Sequence, residues 1–132
     1  SDNSRLNMLD DADTIAQKVR KAKTDPEPLP ATLDELKGRP EAENLIGIYA
    51  ALDGRSSEAV LAEFAGQGFG AFKPKLADLA VAKLGPVGDE MRRLMADPAQ
   101  IDRVLADGAE RARAAAAPTL AEVRKIVGFW GA

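Results

Sequence analysis

The sequence contains no histidine and no cysteine. Those two absences exclude Cys/His zinc sites, Ser-His-Asp and Cys-His nucleophilic centres, and imidazole acid–base catalysis. They also exclude a disulfide scaffold, although the redox compartment stays undetermined. Aromatic residues number only six, and serine and threonine four each, a shortage that argues against a sheet-rich fold. Nothing approaches the roughly 18 uninterrupted apolar residues that a membrane span requires. The opening residues, SDNSRLNMLDDAD, lack the basic start and apolar run of a signal peptide. They also lack an initiator Met, and the natural start is expected upstream.

What the sequence does contain is alanine, leucine and charge. Its 132 residues are one domain's worth of mass, 45% hydrophobic and 30% charged, as in an ordinary water-facing globule. The net charge of −3 excludes a uniformly basic nucleic-acid binder. Charge is nevertheless uneven. Residues 25–63 carry three bases and nine acids, whereas Thr14–Thr24 holds Lys18, Arg20, Lys21 and Lys23 and no acid.

Apolar residues recur with the 3.6-residue period of helices. A first helix is expected from Asp10 or Asp11 to about Lys23, ended by the proline-rich connector TDPEPLP. A second should start at Pro40 and reach Leu52, and a third, capped by Ser56 or Ser57, should run to Phe64. GQGFGAF (66–72) then reads as a tight loop, with a fourth helix opening at Pro74. The phase of its apolar stripe survives Gly85-Pro86, which predicts one long helix kinked there rather than two. Asp97-Pro98 starts a fifth helix with Ile101, Val104, Leu105, Gly108, Ala109 and Ala112 inward. Pro118 is expected to break it, and Thr119–Glu122 to open a sixth as a capping box. The fold class is therefore all-α, a compact bundle of about six helices.

No constellation makes an active site, and no metal site is expected. Asp10, Asp11 and Asp13 lack the spacing of a calcium loop and read as helix N-terminal acids. GQGFG has neither the dinucleotide spacing nor the lysine of a phosphate loop. Tyr49, Phe69 and Phe72 read as core rather than as base-stacking platforms. The informative groups are basic. Lys18 and Lys21 are expected to point away from the apolar stripe of the first helix. Lys73 and Lys75 flank Pro74, where a helix N-terminus would favour a phosphate between them. Arg111 and Arg113 form a further pair, with Arg111 within reach of Asp107.

Several stretches together resemble a known family. SDNSRLNMLDDADTIAQKVRKAKTDPEP is similar to the segment that follows the KMSKS loop in bacterial tryptophanyl-tRNA synthetases, class I aminoacyl-tRNA synthetases. GRPEAENLIGIYAAL, GFGAFKPKLADLAV and EMRRLMADPAQIDRVLADGAERARAAAAPTLAEVRKIVGF resemble that family's C-terminal helices in order and spacing, so that the likeness covers the whole chain. It implies residues 1–9 as the tail of the catalytic-loop region and 10–132 as a helical anticodon-binding domain. Ser1 and Asp2 would be a remnant of the ATP loop. The parent enzyme would be a cytoplasmic homodimer that charges tRNA with tryptophan using ATP and Mg²⁺, without DNA or membrane as partner. The HIGH-type motif, the tryptophan pocket and the KMSKS lysines are absent here, so the fragment alone is expected to be catalytically inactive and to need no cofactor. Lys73, Lys75, Arg111 and Arg113 are then candidate contacts to the anticodon arm, and Lys18 and Lys21 contacts nearer the catalytic hinge. Two alternatives stand beside this reading. They are a non-catalytic helical protein–protein interaction module and the equivalent domain of a tyrosyl-tRNA synthetase.

Overall fold

The computed structural model describes residues 4–128, so the expected loop remnant Ser1-Asp2 lies outside the described residues. Six helices and no strand are present among them: α1 (Ala12–Lys21), α2 (Leu33–Leu36), α3 (Pro40–Asp53), α4 (Ser57–Phe64), α5 (Phe69–Met95) and α6 (Pro98–Val127). The chain divides into two units, Ser1–Arg92 and Arg93–Ala132, and each is described by itself.

In the first unit the helix starts follow local chemistry. Asp11 caps α1 by accepting from the Thr14 amide at 2.8 Å. Ser56 caps α4 through the Ala59 amide, and Pro40 occupies the first turn of α3, where its missing N–H costs nothing. Gly54 ends α3 at φ 70°, a left-handed conformation that glycine adopts without strain. The one-turn α2 was not expected. Its signal stands in the sequence, since Thr32 and Glu35 form a reciprocal capping box.

The core gathers α1, α3, α4 and the first half of α5. Phe64, Phe72, Ile46, Leu61 and Leu76 are fully buried. Tyr49, Phe64 and Phe72 meet ring to ring, and Phe64 and Phe72 are edge-on at 4.9 Å. Tyr49, Phe69 and Phe72 thus sit where the sequence reading placed them, inside. The proline-rich connector is also fastened inward. Leu29, 1% exposed, exchanges backbone hydrogen bonds with Gln67 and Gly66. Arg39 holds the rest, donating to both Asp25 carboxylate oxygens and to the carbonyls of Glu27 and Pro28.

Three expectations are corrected. The helix expected at Pro74 begins at Phe69, so only the first part of GQGFGAF is loop. The expected fifth and sixth helices are one, because α6 runs through Pro118 without a break, and Thr119–Glu122 opens no helix. Of the residues expected inward on it, Ile101, Val104, Leu105, Gly108 and Ala112 are exposed and Ala109 is half-buried. The prolines share a physical reason for being tolerated. Pro74, Pro86 and Pro118 are all exposed, as are Gly70, Ala82 and Ala114, the residues whose carbonyls lose their helical N–H donors, so each proline sits on a solvent-exposed side of its helix. The single helix expected through Gly85-Pro86 is present.

Gly88 explains one close approach within this unit. It is buried on α5 beneath the N-terminal segment, and a Cβ there would stand 2.7 Å from the Met8 carbonyl oxygen. Arg92 lies beside it, donating to the Leu9 carbonyl at 3.3 Å and to Asp89 at 2.6 Å.

Candidate nucleic-acid interface

The structure sorts the six basic candidates into different environments. Lys18 was expected at the surface and is instead 8% exposed. Its ammonium donates to Asp10 Oδ2 at 2.7 Å, and that hydrogen bond is the main reason the Asp10 carboxyl lies below its ordinary pKa. The correction has a simple cause. Lys18 follows Ile15 by three residues, so it shares the inner face of α1, and Asp10 waits there to neutralise it. Lys21 is exposed, as expected.

Lys73 and Lys75 do not converge. The helix starts about one turn earlier than Pro74, so neither lysine is at its N-terminus, and their two-residue step sets them about 160° apart around the helix. Lys73 is half-buried and donates to the Ala22 carbonyl at 2.7 Å, satisfying a terminal carbonyl of α1. Lys75 is exposed and carries its ammonium 4.9 Å from the centre of the Phe64 ring.

Arg111 and Arg113, on α6 in the second unit, also project to different flanks, about 160° apart around the helix by residue count. Arg111 reaches Asp107 at 3.8 Å, the pairing its spacing predicts. Arg113 is exposed and shares with Arg124 the rim of a shallow groove of about 480 Å³, floored by Ala112, Ala116 and Leu120.

One grouping was missed from sequence. Lys18 and Lys21 line a cleft of about 440 Å³ in the first unit together with Arg5 and Lys23. Its floor is apolar, from Leu6, Val19, Leu45 and Ile48, and Asn44 and Glu41 complete the rim. Lys23 binds Glu41 at 2.9 Å, which lowers the Glu41 pKa and raises that of Lys23. The run of bases in Thr14–Thr24 was the signal. What could not be read was that residues 4–6 return to the same place.

Among the described residues no three carboxylate, histidine or cysteine groups converge as a metal site. Asp10 and Asp11 are already committed to Lys18 and to the α1 cap. No described helix is long and apolar enough to cross a membrane.

No family model matches the chain. Curated relatives do. It is 64% identical over 132 residues, its whole length, to a protein of Caulobacter vibrioides named tryptophan–tRNA ligase, covering 38% of that protein. A tryptophan–tRNA ligase of Rhizobium meliloti is 64% identical over 129 residues, 98% of this chain and 36% of the relative. One of Prochlorococcus marinus retains 42% identity over 129 residues, 98% of this chain and 38% of its own length. The chain belongs to the C-terminal region of the bacterial tryptophan–tRNA ligase family. It spans little more than a third of the length of these ligases.

Proposed function

We propose that this region binds the anticodon arm of tRNA in an enzyme that charges tRNA with tryptophan, and that the chemistry resides elsewhere in the full-length polypeptide. The observation that carries the reading is the 64% identity to tryptophan–tRNA ligase along the whole chain. The structure adds which bases could serve. Lys21, Lys75 and Arg113 are exposed, so their charges can reach phosphate oxygens. Lys18 and Lys73 spend theirs on Asp10 and Ala22 within the fold, and Arg111 shares its own with Asp107.

ATP and Mg²⁺ are the implied cofactors of such an enzyme, and the described residues do not fit them. They offer no converging carboxylates for the metal, and the basic cleft has its one acid, Glu41, paired to Lys23. Adenylate formation needs cations positioned around the phosphates next to an amino-acid pocket. The tyrosyl alternative draws no support from the relatives, which are named for tryptophan.

The test is the salt dependence of tRNA binding by the full-length protein. Each of Lys75→Gln and Arg113→Gln should weaken binding and reduce the log–log salt slope by about one. Slopes equal to that of the unaltered protein would remove these residues from the interface.

A further inference from the structure

Lys18 is the one charged side chain buried among the described residues, and the tRNA reading leaves it unused. Its ion pair with Asp10 keeps only 7% and 12% of the two side chains exposed. The cost of taking two charges out of water offsets most of the gain from their attraction. Replacing such a pair by apolar side chains is accordingly often neutral for stability. Stability alone is thus a poor reason for a buried pair. What the pair supplies is position, because an ammonium and a carboxylate meet at a defined distance where two apolar groups can slide.

The pair positions a short turn. Asp10 Oδ2 also accepts from the Asn7 amide at 2.9 Å, and the Asp10 amide donates to the Asn7 carbonyl at 3.0 Å. One carboxylate oxygen therefore closes residues 7–10 into a turn and fastens that turn to α1. Helix α5 holds the two residues between. The Met8 carbonyl oxygen lies against Gly88, and the Leu9 carbonyl accepts from Arg92 at 3.3 Å. The side chains of Met8 and Leu9 are 42% and 44% exposed, so their burial is not what anchors the turn. Polar contacts and one close backbone approach anchor it.

The place of the turn in the polypeptide gives it significance. The chain matches the C-terminal region of ligases of which it spans 36–38%, so the larger part of each joins this region just ahead of residues 7–10. A displaced turn displaces that point of attachment. In a catalytic site a shift of about 1 Å can cost on the order of a hundred-fold in rate, even when its cause is remote. We propose that Asp10 and Lys18 are positioning residues for the activation of tryptophan by ATP, their ion pair fixing where the preceding polypeptide, which carries the chemistry, leaves the helical unit. The inference rests on the ligase reading above and adds a role that contact with tRNA does not supply.

The test replaces the pair whole, Asp10→Leu with Lys18→Met, in the full-length enzyme. The exposed pair of Asp34 and Lys37, replaced in the same way, is the control. Because no unpaired charge is left buried, the Tm of the Asp10/Lys18 variant should stay within about 3 °C of the unaltered enzyme. Its kcat for tryptophan-dependent ATP–pyrophosphate exchange should fall about ten-fold or more, with the KM for tRNA in aminoacylation within about two-fold. The control should keep its exchange rate. A kcat equal to that of the unaltered enzyme would overturn the proposal, and so would a loss that only follows the folded fraction. Asp10→Glu decides the matter without removing a charge, since it moves the meeting point by one methylene. It should retain the Tm and lower kcat about three-fold or more, and an unchanged kcat would overturn the proposal as well. Absence of exchange in the unaltered full-length enzyme would instead overturn the ligase reading, and this inference with it.

Discussion

Lys73 donates its ammonium to the carbonyl of Ala22, 2.7 Å away and 51 residues earlier in the chain. The bond ties α5 to the end of α1 and gives a terminal helix carbonyl its partner. Lys73 and Lys75, two residues apart, therefore have different consequences when altered. Lys73→Met should destabilise the protein by about 1–2 kcal/mol, the cost of a lost charge-assisted hydrogen bond to a half-buried carbonyl. Lys75→Met should change stability by less than about 0.5 kcal/mol. Urea denaturation of the two variants checks this, and equal midpoints would contradict it.

Gly88 should not accept a side chain. Alanine favours a helix interior over glycine by about 1 kcal/mol. At this position its Cβ would press to 2.7 Å from the backbone oxygen of Met8, which cannot swing away as a side chain can. Gly88→Ala is expected to lower stability by about 1–2 kcal/mol, by displacing the N-terminal segment from α5. Gly108 meets nothing within 4 Å, so Gly108→Ala should stabilise its helix slightly. Thermal melts of both variants separate the two effects, and stabilisation by Gly88→Ala would show the contact to be absent.

Acid should destabilise the first unit through its paired and capping carboxyls, among them Asp10 and Asp25. The hydrogen bond from Lys18 holds Asp10 below the ordinary value of 3.8, and that from Arg39 does the same for Asp25. Each binds a proton more weakly folded than unfolded, so its stabilisation is complete above the unfolded pKa and is lost as pH falls through the folded one. With no histidine in the chain, stability should be nearly flat from about pH 5.5 to 7 and should fall below about pH 4. Asp10→Asn and Asp25→Asn should be less stable at pH 7 and show a shallower acid decline. A wild-type pH profile retained by both variants would contradict these assignments.

Much of the fold was legible because caps and periodicity act locally. Asp11, Ser56, Pro40 and Gly54 mark their helix ends through contacts within a turn. The errors arose where a local rule met a tertiary or solvent effect. Pro118 reads as a breaker, yet both it and Ala114, whose carbonyl it deprives of a donor, are exposed, and the helix continues. Phe69 and Phe72 extend α5 backwards through the glycines because the core takes up both rings. On α6 the amphipathic pattern is periodic, but periodicity does not reveal whether a face is buried, and Ile101, Val104 and Leu105 are exposed. Lys18 escaped for the reverse reason, since its burial depends on an aspartate eight residues away. Charge type identified the candidate cations. Only their partners separated Lys21, Lys75 and Arg113 from the rest.

The central claim is that this region holds tRNA while the rest of the polypeptide does the chemistry. The most direct measurement is the KM for tRNA set beside tryptophan-dependent ATP–pyrophosphate exchange, in the full-length enzyme carrying Lys75→Glu together with Arg113→Glu. Loss of phosphate contacts should raise the KM for tRNA about ten-fold or more and leave exchange within about two-fold of the unaltered enzyme. An unchanged KM for tRNA, or a loss of exchange as large as the change in KM, would contradict the account.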